Sequence, residues 1–452
     1  MAGDTRARLR RLSKLSRLGL KKGAAHVPQP PPKPRPTGIP LPDTPVPLHL
    51  LEYQFDEHNP APIEAVIPGA VVENEYGRYF SFEGRYPLSA RHGARPLAEL
   101  LETSLEAVAG ISGDGRWRNL TWRDVLFIDT ETTGLEVAAG TVAFLIGVGW
   151  LDDDDFVVRQ VFMRDYHEET ALLADLARLF ERFEALASFN GKTFDLPLLQ
   201  NRFVMARLQP GLASRSGQDL LGSPHFDLLH PARRLWRRRI GACNLSHLET
   251  EVLGVERAQA DVPGYWIPTL YRTYLVTEDA RPMAGIFYHN EVDVVSMASL
   301  ATEICRCLAW SGAGSADLPA VDLLSLGLWY NALGRASAAE RALRAALAGG
   351  LDGEAFGVAQ KHLATLLKRA GRADESVALW EALTATEHRL YALEELAKYY
   401  EWRAKDLRRA EAWTQQAIAR FEAGDEGRQQ DEALAAWQHR LARLQRKLRR
   451  GG

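Results

Sequence analysis

Cysteine is almost missing from this chain: three in 452 residues, Cys243, Cys305 and Cys307. They make neither a disulfide framework nor a zinc-ligand spacing, which points to a reduced, cytoplasmic compartment. No apolar run reaches the roughly 18 residues of a membrane span, and the N-terminus lacks the apolar core of a signal peptide. A soluble protein with no membrane attachment is therefore expected. An excess of one charge is missing too. The net charge of −3 says nothing about partners until it is resolved along the chain. A hydrophobic content of 46% and a charged content of 25% are ordinary for globular proteins, and the length predicts two or more domains.

Locally the charge is far from balanced. Residues 1–22 carry eight Lys/Arg against the single acid Asp4, and a proline-rich stretch, 28–36, follows. Residues 1–44 read as a basic, extended, disordered arm, either a solvated tail or a contact for an anionic partner. Residues 45–120 read as an extension packed on the next domain, with strand-like Ala65–Ile67 and Tyr79–Phe82 and a helix over Leu97–Ala109. From 121 to 310 strands and helices alternate. Thr141–Trp150 and Phe156–Phe162 predict a hairpin around Asp152–Asp155, Glu168–Phe183 a helix, Leu186–Phe189 a strand, and Asp195–Leu208 a helix with Pro197 in its first turn. The pattern predicts an α/β domain with a mixed sheet flanked by helices. Residues 317–450 are strand-free and repeat: Gly334-Arg335-Ala336 recurs as Gly371-Arg372-Ala373 and, without the glycine, near Ala404-Lys405-Asp406. An all-α repeat domain resembling tetratricopeptide repeats is expected, either presenting a surface to a protein partner or capping the α/β domain.

Three acidic motifs carry the chemistry. In Phe127-Ile128-Asp129-Thr130-Glu131-Thr132-Thr133-Gly134 an apolar strand ends in two carboxylates. Residues two apart share a strand face, about 7 Å from each other. Buried together they are costly unless a cation neutralises them, and a hard divalent ion with oxygen ligands is the natural one. The second motif runs from Phe189 to Leu199. Asn190 ends a strand, Gly191 permits a tight turn, and Asp195 opens a helix, whose dipole favours its ionised form. Lys192, in the turn, is either exposed or a phosphate contact. In the third, Tyr288-His289-Asn290-Glu291-Val292-Asp293, a helix is expected to open; His289 and Asp293 share its face, and Glu291 points away into solvent. Asp129, Glu131, Asp195 and Asp293 together could hold two divalent ions, Mg²⁺ or Mn²⁺, roughly 4 Å apart. His289 then serves to orient or deprotonate a water.

The order Asp-x-Glu, Asn-x4-Asp, Tyr/His-x-x-x-Asp resembles the DEDD superfamily of 3′→5′ exonucleases, which have a ribonuclease H-like fold. The stretch from Ile67 to Leu300 is closer still to the YprB-type ribonuclease H-like family. That resemblance rests on Ile67-Pro68-Gly69, Phe127 to Leu135, Phe226-Asp227-Leu228-Leu229-His230, Asp261-Val262-Pro263-Gly264 and His289 to Asp293. It implies a 3′→5′ exonuclease acting on the 3′ end of single-stranded DNA or RNA. One departure stands out: Tyr288 and His289 occupy each other's slots relative to the two DEDD subtypes, and this swap motivates the rival reading of a non-cutting nucleic-acid-binding adaptor. Asp227 reads as a supporting acid or a helix cap. The cluster Arg233, Arg234, Arg237, Arg238 and Arg239 with Trp236 reads as a phosphate-tracking rim, Arg234 and Arg238 foremost, or as a solvated helix face. Asn190, Lys192 and Tyr288 complete the candidate nucleic-acid contacts. Trp266 is a base-stacking or a core residue.

Overall fold

The computed structural model describes residues 59–134, 140–209, 220–258, 262–312, 318–422 and 430–450; the arm expected over 1–44, Leu135 and Asp261 lie outside them. Seven strands form one sheet: β1 (Ala70–Asn74), β2 (Gly77–Pro87), β3 (Val125–Thr132), β4 (Ala143–Asp152), β5 (Asp155–Phe162), β6 (Ala185–Ser188) and β7 (His225–Asp227). Their spatial order is β1-β2-β5-β4-β3-β6-β7. Neighbours from β1 to β3 pair antiparallel, whereas β3, β6 and β7 run parallel. This is the mixed sheet that the alternation of elements predicts. β1 and β2 come from the N-terminal extension, so that segment widens the sheet.

Two local expectations fail for identifiable reasons. Ala65–Ile67 is no strand: Ile63–Val66 forms a helical turn after Pro62, which stacks residues four apart one above the other, and Ile63 and Ile67 are both buried. The helix expected over Leu97–Ala109 is two pieces, a 3₁₀ turn at Leu97–Glu102 and a helix at Glu106–Ser112. Thr103 and Ser104 break it by bonding the backbone themselves, Thr103 Oγ1 to the Leu100 carbonyl (2.8 Å) and Glu106 N to Ser104 Oγ (3.2 Å).

Alternation along β3 decides what each helix covers. Leu126 and Ile128 face a core shared with α1 (Glu169–Phe180), α2 (Asp195–Met205) and α4 (Ile267–Thr277). Val125 and Phe127 face another, built with α3 (Leu229–Ile240) and the C-terminal half of α5 (Met283–Leu308). That second core continues without a break into the helical region, through Leu324, Leu343 and Leu363. All three cysteines are buried and free. Among the described residues no helix is long and apolar enough to cross a membrane.

The C-terminal region is helical throughout its described residues: α6 (Ala320–Ala332), α7 (Ala336–Ala348), α8 (Gly353–Arg369), α9 (Ala373–Leu383), α10 (Arg389–Lys398), α11 (Leu407–Glu422) and α12 (Gln430–Arg450). The repeated Gly-Arg-Ala marks one recurring turn. Gly334 and Gly371 end the first helix of a pair with φ of +72° and +78°, and Lys405 takes the left-handed position in the third at +54°. The repeat thus survives the loss of its glycine, at a conformational cost to Lys405. Arg239 of α3 ties the two regions together, its Nε lying 3.0 Å from both oxygens of buried Asp322 on α6.

Phe127, fully buried, stacks on Trp122 (6.1 Å) and meets Phe156 edge-on (5.8 Å). Phe127→Ala should cost about 3–5 kcal/mol, lowering the melting temperature by roughly 10 °C in a calorimetric scan.

Candidate active site

The strand that leads to Asp129 and Glu131 is wholly apolar up to Ile128 and buried. By its alternation both carboxylates face the side crossed by α5. What lets α5 come so close is Gly147, the β4 partner of Asp129. A β-carbon there would lie 2.1 Å from Asn290 Oδ1, so any side chain would push the helix off the strand. Asn290 uses the space fully: its Nδ2 donates to Asp129 Oδ2 (2.8 Å), and its Oδ1 accepts from Gln160 Nε2 (2.9 Å). Gln160 also donates to the Phe287 carbonyl (2.8 Å), tying the amide pair to the helix backbone.

The third motif therefore lies inside α5, beginning about one and a half turns from its start, and does not open the helix as the sequence suggested. His289 Nε2 is 3.7 Å from Glu131 Oε1 and 3.5 Å from Asp293 Oδ2. Tyr288 is half-buried, and its hydroxyl accepts from the Ala258 amide (2.8 Å). Glu291 is not the solvated side chain expected: it is half-buried against Gly84 and accepts from Tyr86 OH at 2.6 Å.

Asp195 approaches from the other side of the sheet. It is the first residue of α2, and its Oδ1 accepts from the hydroxyl of Thr130, the residue between the two strand carboxylates. The turn before it is held by Asp227, whose carboxylate accepts from the amides of Asn190 (2.9 Å), Lys192 (3.2 Å) and, at the head of α3, Leu229 (3.1 Å). Asp227 is thus turn brace and helix cap at once. Asn190 takes a left-handed φ of +68°, and Gly191 leaves room for Ser188 Oγ and Asp195 Oδ2, 2.5 and 2.9 Å from where a β-carbon would sit. Lys192 is exposed. Of the basic cluster, Arg234 and Arg238 are exposed, whereas Trp236 is buried in the core and offers no stacking face. Trp266 packs, half-buried, against the core that Leu126 and Ile128 face.

Sequence reasoning passed over Arg257. It lies beyond a π-helical turn, Glu249–Leu253, and a left-handed Gly254, which bring it back to α5. There it donates to Glu249 (2.7 and 2.8 Å) and Asp293, and its Nη1 meets His289 Nδ1 at 3.2 Å. Nothing in the spacing of the motifs signals this return. Asn290 had a signal, since it stands three before Asp293 and so near the same helical face.

The four carboxyls act on one another electrostatically. Burial, then the charges of Asp293 and Asp195, push Asp129 up to about 8. Burial and then Asp129 raise Glu131 well above the usual carboxylate range. Burial lifts Asp195 to about 6 against the opposing pull of the Thr130 hydroxyl, and it raises Asp293 against His289 and Arg257. As they stand, no three His, Cys, Asp or Glu side chains among the described residues make a closed cage for an ion. Two of the four carboxyls are engaged by other groups, Asp293 by Arg257 and Asp195 by Thr130.

Sheet, helices and acidic strand end together describe a ribonuclease H-like protein. A sequence model of the RNase_H superfamily matches residues 126–305. The Bacillus subtilis (strain 168) protein YprB is 30% identical over 381 residues, 83% of this chain and 87% of that protein. The chain belongs to the YprB-type ribonuclease H-like family. Among solved structures it is similar to the family B DNA polymerase of the archaeon Pyrobaculum calidifontis, at 16% identity and TM-score 0.31, over 53% of this chain and 29% of the polymerase. It is also similar to E. coli ExoI in complex with ssDNA, at 18% identity and TM-score 0.24, over 36% of this chain and 42% of that one. The chain thus spans less than half the length of either.

The raised carboxyls fix a pH dependence. A group whose folded pKa lies above its unfolded value stabilises the fold at low pH, and that contribution is lost as pH rises through the folded pKa. Metal-free protein should therefore lose thermal stability from about pH 5 to pH 8, as Asp195 and then Asp129 ionise. Asp129→Asn should flatten the curve and melt above wild type at about pH 8. Melting scans across pH in chelator check this, and a variant that tracks wild type throughout would refute the assignment.

Proposed function

We propose that this chain is a divalent-metal-dependent nuclease, a 3′→5′ exonuclease of the DEDD type acting on single-stranded DNA or RNA. The observation that carries the reading is the pair of carboxyls at the end of β3, Glu131 buried and Asp129 half-buried, both raised by burial and by the charges of nearby carboxyls. A site that crowds carboxyls whose ionisation is unfavourable without a counter-charge is shaped to receive a cation. The donor set, carboxylate oxygens from Asp129, Glu131, Asp195 and Asp293, suits Mg²⁺ or Mn²⁺ and not a soft metal. Two such ions, when bound, would supply charge neutralisation and polarisation at a scissile phosphodiester.

The chain's own groups do the rest. Asn290 fixes the Asp129 carboxylate in one rotamer through Gln160. Arg257 can only donate, so His289 Nδ1 accepts from it and the neutral ring keeps its proton on Nε2. That Nε2–H faces Glu131 and Asp293, where it can hold the oxygen of an attacking water. In this arrangement His289 orients the water; taking its proton requires Arg257 to release Nδ1. We assign Lys192, Asn190 and Tyr288 to nucleic-acid contact. A reduced, cytoplasmic setting suits three free cysteines.

One observation favours the non-cutting adaptor: Arg257 already neutralises Asp293. The decisive assay incubates labelled single-stranded DNA and RNA with Mn²⁺ and resolves the products on a ladder. Wild type should shorten the strands from the 3′ end. Asp129→Ala should abolish this while retaining binding, and His289→Ala should slow it roughly 10²- to 10⁴-fold. Intact strands with wild type, beside an active control nuclease, would leave the adaptor.

A further inference from the structure

The helical region is expected to serve a protein partner or to cap the fold, yet its junction with the sheet domain carries a different chemistry. Beside the Asn190–Asp195 turn opens a groove of about 310 Å³, walled by Lys192, His225, Asp227 and Arg234 on one side and by Trp329 and Ala332 of α6 on the other. It joins the turn that precedes Asp195 to the first helix of the helical region. Arg234 lies over the Trp329 ring, 5.7 Å from its centroid. A guanidinium stacked in this way is fixed in place and keeps its N–H fork for an anion.

The positive charge continues past the groove. One turn along α3 from Arg234 comes Arg238, also exposed, and beyond it α8 offers Lys361, His362 and Arg369, with His388 near them. Lys361 is set by the ring of Tyr391, 5.4 Å from its Nζ. These charges are close enough to be felt together: burial first, then Lys361, Arg238, His388 and Arg369, holds His362 below its ordinary pKa. They also stand unneutralised. Among the described residues none of Lys192, Arg234, Arg238, Lys361 and Arg369 has a carboxylate within ion-pair distance, whereas their neighbours Arg239 and Lys368 are paired with Asp322 and Glu395. Asp227, which also lines the groove, is taken up by three backbone amides; a row of like charges without ion-pair partners costs repulsion, and a polyanion laid along it relieves that cost.

We infer that the junction of α3, α6 and α8 is a single-strand track, so that the helical region holds the nucleic acid that the carboxylate site cuts. The inference rests on the nuclease reading for the direction of the strand, but the track itself requires only that nucleic acid binds. Three features favour a nucleic acid over an acidic protein. The row begins at the motif turn, its charges follow one another in series, and it includes a guanidinium–indole stack of the kind single-strand binders use.

The test measures binding in chelator, where no cutting confuses it, with the full chain and a fluorescent thymidylate strand of roughly 20 nucleotides. Lys361→Gln/Arg369→Gln should weaken binding roughly five- to tenfold at low salt. It should also flatten the log K against log salt slope by roughly 0.7 for each charge removed. Arg449→Gln/Arg450→Gln, which removes the same charge from the exposed end of α12, should do neither. Unchanged affinity and slope in the first variant, with its helical circular dichroism intact, would overturn the track. So would a polyglutamate of equal length competing as well as unlabelled thymidylate, which would make the surface one for acidic protein. Digestion with Mn²⁺ is followed in parallel on wild type. Strip-dependent binding without digestion removes the nuclease reading alone; digestion with unaltered binding in the first variant removes the track alone.

Discussion

Two acidic side chains on one face of β3, Glu131 buried and Asp129 half-buried, where a polar group unsupported is strongly unfavourable, set the terms for much of the surrounding structure. Asp129 tolerates its position because Asn290 donates to it, and Asn290 can do so only because Gln160 holds its other end and Gly147 leaves it room. That chain requires α5 to cross the sheet at one height and one rotation. The same rotation brings His289 and Asp293 to Glu131. Packing of an ordinary helix on an ordinary sheet and presentation of the acidic groups are therefore a single arrangement.

A second layer of polar contacts steadies what the first presents. Asp227 collects three amides and so fixes the turn from which Asp195 springs. On the other side, Glu249 holds Arg257, and Ser296 of α5 donates to Glu249 at 2.6 Å while itself meeting His92 at 2.7 Å. The guanidinium is held on the helix that carries Asp293, close enough to offset that carboxylate's charge until something else does. A buried acid stabilised by a long, hinged arginine is an arrangement that can change partners; an apolar packing would not.

The continuity of the core across the two regions bears on how they work together. Leu324, Leu343 and Leu363 of the helical region belong to the same apolar cluster as Phe127, and Arg239 pairs with a carboxylate buried on α6. A junction of this kind holds the surface of α8 in register with the Asn190–Asp195 turn. The strip of unpaired cations across it thus stands at a set place relative to the acidic strand end, attractive to phosphate where the strand end repels it.

Much of this was legible without coordinates. The apolar run ending in Asp129 and Glu131 read as a strand because four apolar residues in a row leave few other choices; the mixed sheet followed from hairpin strands preceding helix–strand alternation, and the recurring Gly-Arg-Ala announced a helical repeat. Each is a local pattern, set by neighbours along the chain. What tertiary structure alone decided are the partnerships between distant segments: Arg257 against Asp293 and His289, Asn290 against Gly147, Asp195 reaching Thr130 from the far face, Trp236 turned inward while Trp329 lies beneath Arg234. Periodicity shows which face of an element is apolar, but not which other element will lie on it. The pairings themselves, even where the residues were legible, left no trace in spacing or composition, because a neighbour is chosen only when the whole core closes.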